Sequence, residues 1–162
     1  MYTLKPLHRD TVDRALAKAE RYRLLNEPEE AESICLDVLQ VDPRNQTARV
    51  ALLLSMSDQF LQDPQAYNRA LDVLGSLTNE YDRAYYAGII AERRAKAQVT
   101  RRGNGAYEWL TDALTCFERA EALRPAGNDD AVVRWNACVR FLQRHPELRP
   151  VTEETQEIEM LE

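Results

Sequence analysis

The stretch Ala113-Leu-Thr-Cys116-Phe117-Glu-Arg-Ala120-Glu-Ala-Leu-Arg-Pro125 decides how the chain is read. A small residue, an aromatic four positions on and a small residue three further share one helix face, since residues three and four apart are neighbours there. The small residues permit close approach at two points, and the proline stops the helix. The same offsets recur upstream as Ala31, Cys35, Val38 and Pro43. A helix of one type used twice implies a stacked array of helical units, which works by presenting a surface rather than by chemistry.

Outward from that stretch, helical periodicity covers most of the chain. Gly103-Asn104-Gly105 is a turn. Before it, roughly Tyr81 to Arg101 forms the longest helix. The half Tyr85-Tyr-Ala-Gly-Ile-Ile-Ala91 is apolar nearly all round, as in a helix with neighbours on several sides. The half Glu92 to Arg102 is charged, with Ala95, Ala97 and Val99 for packing. Downstream, Asn128 is read as the cap of a last helix carrying Val132, Trp135, Cys138, Val139 and Leu142, which His145-Pro146 ends. Towards the N-terminus, Asp10 precedes a helix with Leu16, Ala19 and Tyr22. Asn26-Glu27-Pro28 breaks it and opens a second, which Asp42-Pro43 closes. Asn45 caps a third containing Leu52, Leu53, Met56 and Phe60, and Asp63-Pro64 starts a fourth containing Ala70, Leu71, Leu74 and Leu77. The expected fold is all-α: about seven helices in antiparallel hairpins joined by short links. Its domain spans 10–145, between an N-terminal extension (1–9) and an acidic C-terminal tail (146–162).

A hydrophobic content of 44% with 30% charged residues fits a soluble globular chain. Net charge −6 and a pI near 5.1 disfavour a dedicated nucleic-acid binder, which is usually basic. No run approaches the ~18 apolar residues of a membrane span, and the first ten residues hold no signal-peptide core. The expectation is a cytoplasmic protein without membrane attachment. Cys35, Cys116 and Cys138 lie within helical patterns without metal-ligand spacing and read as reduced, buried small hydrophobes. His8 and His145 stand at opposite ends of the chain, no Gly-rich phosphate loop is present, and the carboxylates fall at positions read as solvent-facing. No enzyme, metal or cofactor is expected.

Ala19 and Leu53, then Tyr22 and Met56, are each 34 residues apart on equivalent faces of helices one and three. This spacing resembles the tetratricopeptide repeat (TPR), a helix-turn-helix unit of that length. Tyr22, Ala31 and Pro43 match its signature places, with Cys35 where Phe is usual; Gly88, Ala113, Phe117, Ala120 and Pro125 match in the third unit. No Trp opens a repeat, and the second unit keeps little beyond periodicity. The resemblance covers about residues 12–143 and implies a short right-handed solenoid of three hairpins and a final single helix. From Ala19 to Ala31 the gap is 12 residues, but from Gly88 to Ala113 it is 25. The third hairpin is therefore expected to be longer by about 10 Å and to project past its neighbours, with Gly103-Asn104-Gly105 at its tip.

In such an array the first helix of each pair lines the concave surface, which places Leu16 and Glu20, then Val50, Leu54 and Asp58, on that face. Tyr85, Tyr86, Ile89 and Arg93 follow, with Val132, Asn136 and Arg140 on the last helix. The residues expected to bind a partner are Tyr85, Tyr86, Ile89, Arg93, Asn136 and Arg140. Aromatics ending in arginines suit a protein or peptide with an acidic group. The matching helices lack a two-Asn-plus-basic carboxylate clamp, so no chaperone-tail receptor is expected. The function read from this is a scaffold or adaptor that binds a partner on the concave surface. One alternative is a nucleic-acid-associated protein using the basic run Arg93, Arg94, Lys96, Arg101 and Arg102. Another is a self-assembly element acting through the last helix or the tail. Residues 151–162 carry five acids, no base, and Ile158, Met160 and Leu161. They read either as a solvated segment or as a short helix docking Ile158 and Leu161 on a groove.

Overall fold

The structure is a computed structural model that describes residues 1–150. Among them it contains seven α-helices and no strand. The helices are α1 (Val12–Leu24), α2 (Pro28–Val41), α3 (Gln46–Ser57), α4 (Ala66–Gly75), α5 (Glu80–Thr100), α6 (Ala106–Leu123) and α7 (Asp130–Arg144). Short 3-10 turns, Arg9–Thr11 and Pro146–Leu148, flank the set.

Local chemistry accounts for most boundaries. Pro28 opens α2 with Glu29 and Glu30 in the first turn, where carboxylates favour the free N–H groups. Asn45 Oδ1 accepts from the Ala48 N–H at 2.8 Å, and Asn79 Oδ1 from the Asp82 N–H at 3.0 Å, capping α3 and α5. α1 and α5 end in the same way. Asn26 (φ 59°) and Arg102 (φ 54°) turn left-handed, and the next N–H reaches back to Tyr22 and Gln98 carbonyls, each at 2.9 Å. Gly105, at φ 86°, then redirects the chain into α6.

Two boundaries differ from the periodicity reading. α3 stops at Ser57, so Phe60 lies in the 58–65 link, yet it is buried there. Gln59 holds that link by donating to the Ser55 carbonyl at 3.1 Å and to Glu32 at 2.6 Å. Asp63 accepts from the Gln65 N–H, making a turn, and α4 begins at Ala66 rather than at Pro64. Asn128 likewise accepts from the Asp130 N–H at 3.0 Å, tightening the turn ahead of α7 instead of capping it.

Each helix packs on the next in the chain, and α1 also packs on α3, and α3 on α5. The first helices of the three hairpins thus lie side by side. One core joins Ala19, Ala31, Cys35, Leu53 and Ala70 to Ile90 of α5. A second joins Ile89, Ala95, Ala113 and Phe117 to Cys138 of α7. In the second core the spacing of the opening stretch has a direct physical meaning. Phe117 is fully buried, and its ring fills the space beside Gly88, where an added Cβ would fall 2.5 Å from Cε1. Burial of that one ring stabilises the fold by about 2–3 kcal/mol. Packing also reaches Leu7 at one end and Leu148 at the other, a few residues beyond 10–145. The docking expected of Ile158 and Leu161 lies outside the described residues.

The third hairpin is elongated. α5 has 21 residues and α6 has 18, against 13 and 14 in the first hairpin and 12 and 10 in the second. Its turn, Arg101 to Asn104, is exposed. The extra length does not stand free, however. Arg101 donates to the Phe60 carbonyl at 2.7 Å and to that of Leu61, tying the end of α5 to the 58–65 link. The Arg94 guanidinium lies between the rings of Tyr67 and Trp109, 3.6 and 4.4 Å from their centroids.

Candidate functional site

Across α1, the end of α3, α5 and α7 runs an open groove of about 690 Å³. Its centre is built from two ionic clusters. Asp58, at the end of α3, accepts from Arg23 Nε of α1 at 2.7 Å and from Arg93 Nη1 of α5, so one carboxylate joins three helices. One turn of α5 away from the groove's Arg93 pair, Glu92 is 1% exposed, pairs with Lys96 and has Arg134 Nη1 of α7 at 3.6 Å from Oε2. Removing a charge from water is costly unless opposite charge and hydrogen bonds compensate, and two cations supply that here.

The clusters are layered. The side chains of Asp58 and Glu92 are 18% and 1% exposed, whereas those of Arg93, Arg134 and Lys96 are 29%, 36% and 44% exposed. The acids lie beneath and the cations face the groove. Glu20, on the α1 edge, is the exposed acid in the lining. Apolar surface continues at the α1 and α3 side, where Leu24 and Leu61 are exposed. Behind the groove, burial pushes the Cys138 thiol up to about 12, and the Glu92 charge adds to the effect. Burial also pushes the Tyr86 hydroxyl up to about 12, with Asp82 the next contributor. Neither group is a nucleophile near neutral pH. Among the described residues no group of three or more His, Cys, Asp and Glu is placed to hold a metal ion.

The six residues expected to bind a partner separate into three groups. Arg93 lines the groove. Asn136 and Arg140 are exposed on α7, outside the groove lining, whose α7 member is Arg134. Tyr85, Tyr86 and Ile89 pack. Ile89 is 1% exposed within the second core and presents no surface to a partner, because the stacking of α6 and α7 on α5 covers its face. Tyr85 stacks on Tyr81 at 5.7 Å, meets Tyr86 edge-on at 5.1 Å and lies 5.9 Å from Phe117. Tyr86 is half-buried between the two cores.

Two further expectations are corrected. The carboxylates are not all solvent-facing, since Glu92 is buried and Asp58 is half-buried. Nor is the basic run Arg93–Arg102 a free cationic face. Arg93 pairs with Asp58, Arg94 is sandwiched, Lys96 pairs with Glu92 and Arg101 binds backbone carbonyls. Periodicity places Glu92 on the packed side of α5, but it cannot reveal which cations α7 brings to it. Arg134 and Glu92 are 42 positions apart, and no local spacing links them.

Comparison of the chain with models of known protein families, with curated proteins and with solved structures finds no match.

Proposed function

We propose that this chain is a protein-interaction module of tetratricopeptide-like construction that receives an acidic segment of a partner protein in the groove across α1, α3, α5 and α7. The observation that carries the reading is the layering of Arg93, Lys96 and Arg134 above buried acids in a groove spanning successive first helices. Support for the repeat construction comes from the 34-residue offsets, the α1, α3, α5 row and the Phe117 ring against Gly88. A surface held in place from behind meets a partner with little ordering cost on the protein's side, which favours binding. The carboxylates beneath fix where the guanidinium and ammonium groups stand, and their outward N–H donors accept a carboxylate at charge-assisted strength.

Affinity capture from source cells tests this with three chains: wild type, Arg93→Ala/Arg134→Ala, and Arg140→Ala. The groove variant is expected to lose a protein that the wild type and Arg140→Ala retain. Retention of every partner by the groove variant refutes the reading. A nucleic-acid role would instead show binding to an oligonucleotide that weakens steeply with salt.

A further inference from the structure

A groove faced with cations in a chain of net charge −6 raises the question of what neutralises it. The described chain ends beside the groove. Leu148 packs against the same core as Ala91, Ala95 and Cys138, and Lys96 lies 5.7 Å from the ring centroid of Phe141. The sequence that follows is complementary. Residues 151–162 contain Glu153, Glu154, Glu157, Glu159 and Glu162 and no basic residue, and Ile158, Met160 and Leu161 come late. The order matches the groove. Arg134, Lys96 and Arg93 lie on the α7 and α5 side, nearest to where residue 150 leaves, and the exposed Leu24 and Leu61 lie on the far α1 and α3 side. Reach is ample, because twelve residues span up to ~40 Å and packed helices stand ~10 Å apart.

We propose that residues 151–162 occupy this groove in cis, with Glu153, Glu154 and Glu157 towards Arg134, Lys96 and Arg93, and with Ile158 and Leu161 towards Leu61 and Leu24. The proposal rests on the groove being the binding surface, and it makes the chain its own competitor. A tethered segment acts at an effective concentration in the millimolar range, so a weak intrinsic affinity is enough to fill the groove. An external partner must then outcompete a covalently attached one. A partner with the same acid-then-apolar order does so at lower concentration than one with charge alone.

The test uses full-length chains and one probe, a fluorescein-labelled synthetic peptide of the sequence of residues 151–162, followed by anisotropy. In the tail variant E153Q/E154Q/E157Q/E159Q/E162Q the groove is vacated, and the probe should bind at least tenfold more tightly than to wild type. Adding Leu24→Ala and Leu61→Ala, both at exposed positions that leave folding intact, should weaken the probe about threefold or more in that background. Adding Glu92→Gln/Lys96→Ala/Arg134→Ala, which removes the buried charge with its covering cations, should abolish binding. Equal probe affinity for wild type and tail variant, or no binding to either, overturns the proposal. So does binding that survives the loss of Lys96 and Arg134. A wild-type chain that dimerises with rising concentration, while the tail variant stays monomeric, also overturns it by making a second copy the occupant. Capture of a groove-dependent partner is read separately, so the interaction reading survives failure of the tail proposal, and the reverse also holds.

Discussion

The first and third hairpins use one packing register with different materials. In the first, Ala19 and Ala31 meet around Cys35, a small side chain, and the helices have 13 and 14 residues. In the third, Gly88 and Ala113 meet around Phe117, a ring, and the helices have 21 and 18 residues. The larger filler is accommodated by removing the Cβ at position 88. The extra length is held by other means, a sandwiched Arg94 and an Arg101 bound to the 58–65 link. Apolar complementarity thus sets the base of the long hairpin, and cation contacts brace its outer half.

If that division is right, the base should be the most sensitive place in the molecule. Phe117→Ala is expected to cost about 3–5 kcal/mol by urea denaturation, because a fully buried ring leaves a cavity. Gly88→Ala should cost about 2–3 kcal/mol, since its Cβ would fall within 2.5–2.9 Å of three ring carbons. The two should be non-additive, and Gly88→Ala/Phe117→Leu should recover part of the single losses. Cys35→Ala in the first hairpin should cost only about 1 kcal/mol. A comparable loss at both sites would break the contrast.

The bracing of the outer half is tested by Arg94→Ala. A guanidinium held between two rings contributes about 2 kcal/mol when partly desolvated, whereas Lys18, 5.9 Å over Tyr22 in the first hairpin, contributes at most a few tenths. Arg94→Ala should therefore lower stability by about 2 kcal/mol and change the emission of Trp109, and Lys18→Ala should do neither.

These contacts also separate what the residues reveal in one dimension from what they do not. The Ala113, Phe117, Ala120 register and the gap of 25 residues from Gly88 to Ala113 are spacings along the chain, and spacing on a helix is geometry. The elongated hairpin and its turn were legible for that reason. Arg94 between Tyr67 and Trp109, and Glu92 beneath Lys96 and Arg134, join three helices each, and their partners are assembled only by tertiary packing. A charged run then reads as solvated although most of it is engaged. The link 58–65 was misplaced for a related reason. Phe60 falls on the apolar period of α3, but its burial depends on side-chain bonds from Gln59 that periodicity cannot register.

The cysteines extend the comparison to pH. Burial pushes the Cys35 thiol up to about 11 and the Cys138 thiol up to about 12, the latter with Glu92 adding to the shift. Both folded values lie above the ordinary value of 9.0, so the fold favours the protonated thiols. That contribution is complete below pH 9 and is lost as pH rises through 11 for Cys35 and 12 for Cys138. Urea unfolding at pH 8 and pH 10.5 should show a smaller alkaline loss in Cys138→Ala than in wild type, by on the order of 1–2 kcal/mol. An unchanged difference between the two pH values would mean that the thiol behind the groove is open to solvent.

The smallest expected effect lies where the two hairpins end their first helices in the same way. Asn26 and Arg102 both turn left-handed, at φ 59° and 54°, and both precede an N–H that closes back on the helix. Glycine has no Cβ to strain in that region, and asparagine tolerates it better than arginine does. Arg102→Gly should therefore stabilise the protein by about 1 kcal/mol, and Asn26→Gly by less than half of that. Arg102 is exposed, so its charge contributes little that the substitution would forfeit. Thermal denaturation read beside amide exchange over residues 98–106 distinguishes the cause. A gain confined to slower exchange at the turn locates the strain at its end, whereas a loss of stability would mean that the Arg102 side chain braces the hairpin as Arg94 and Arg101 do.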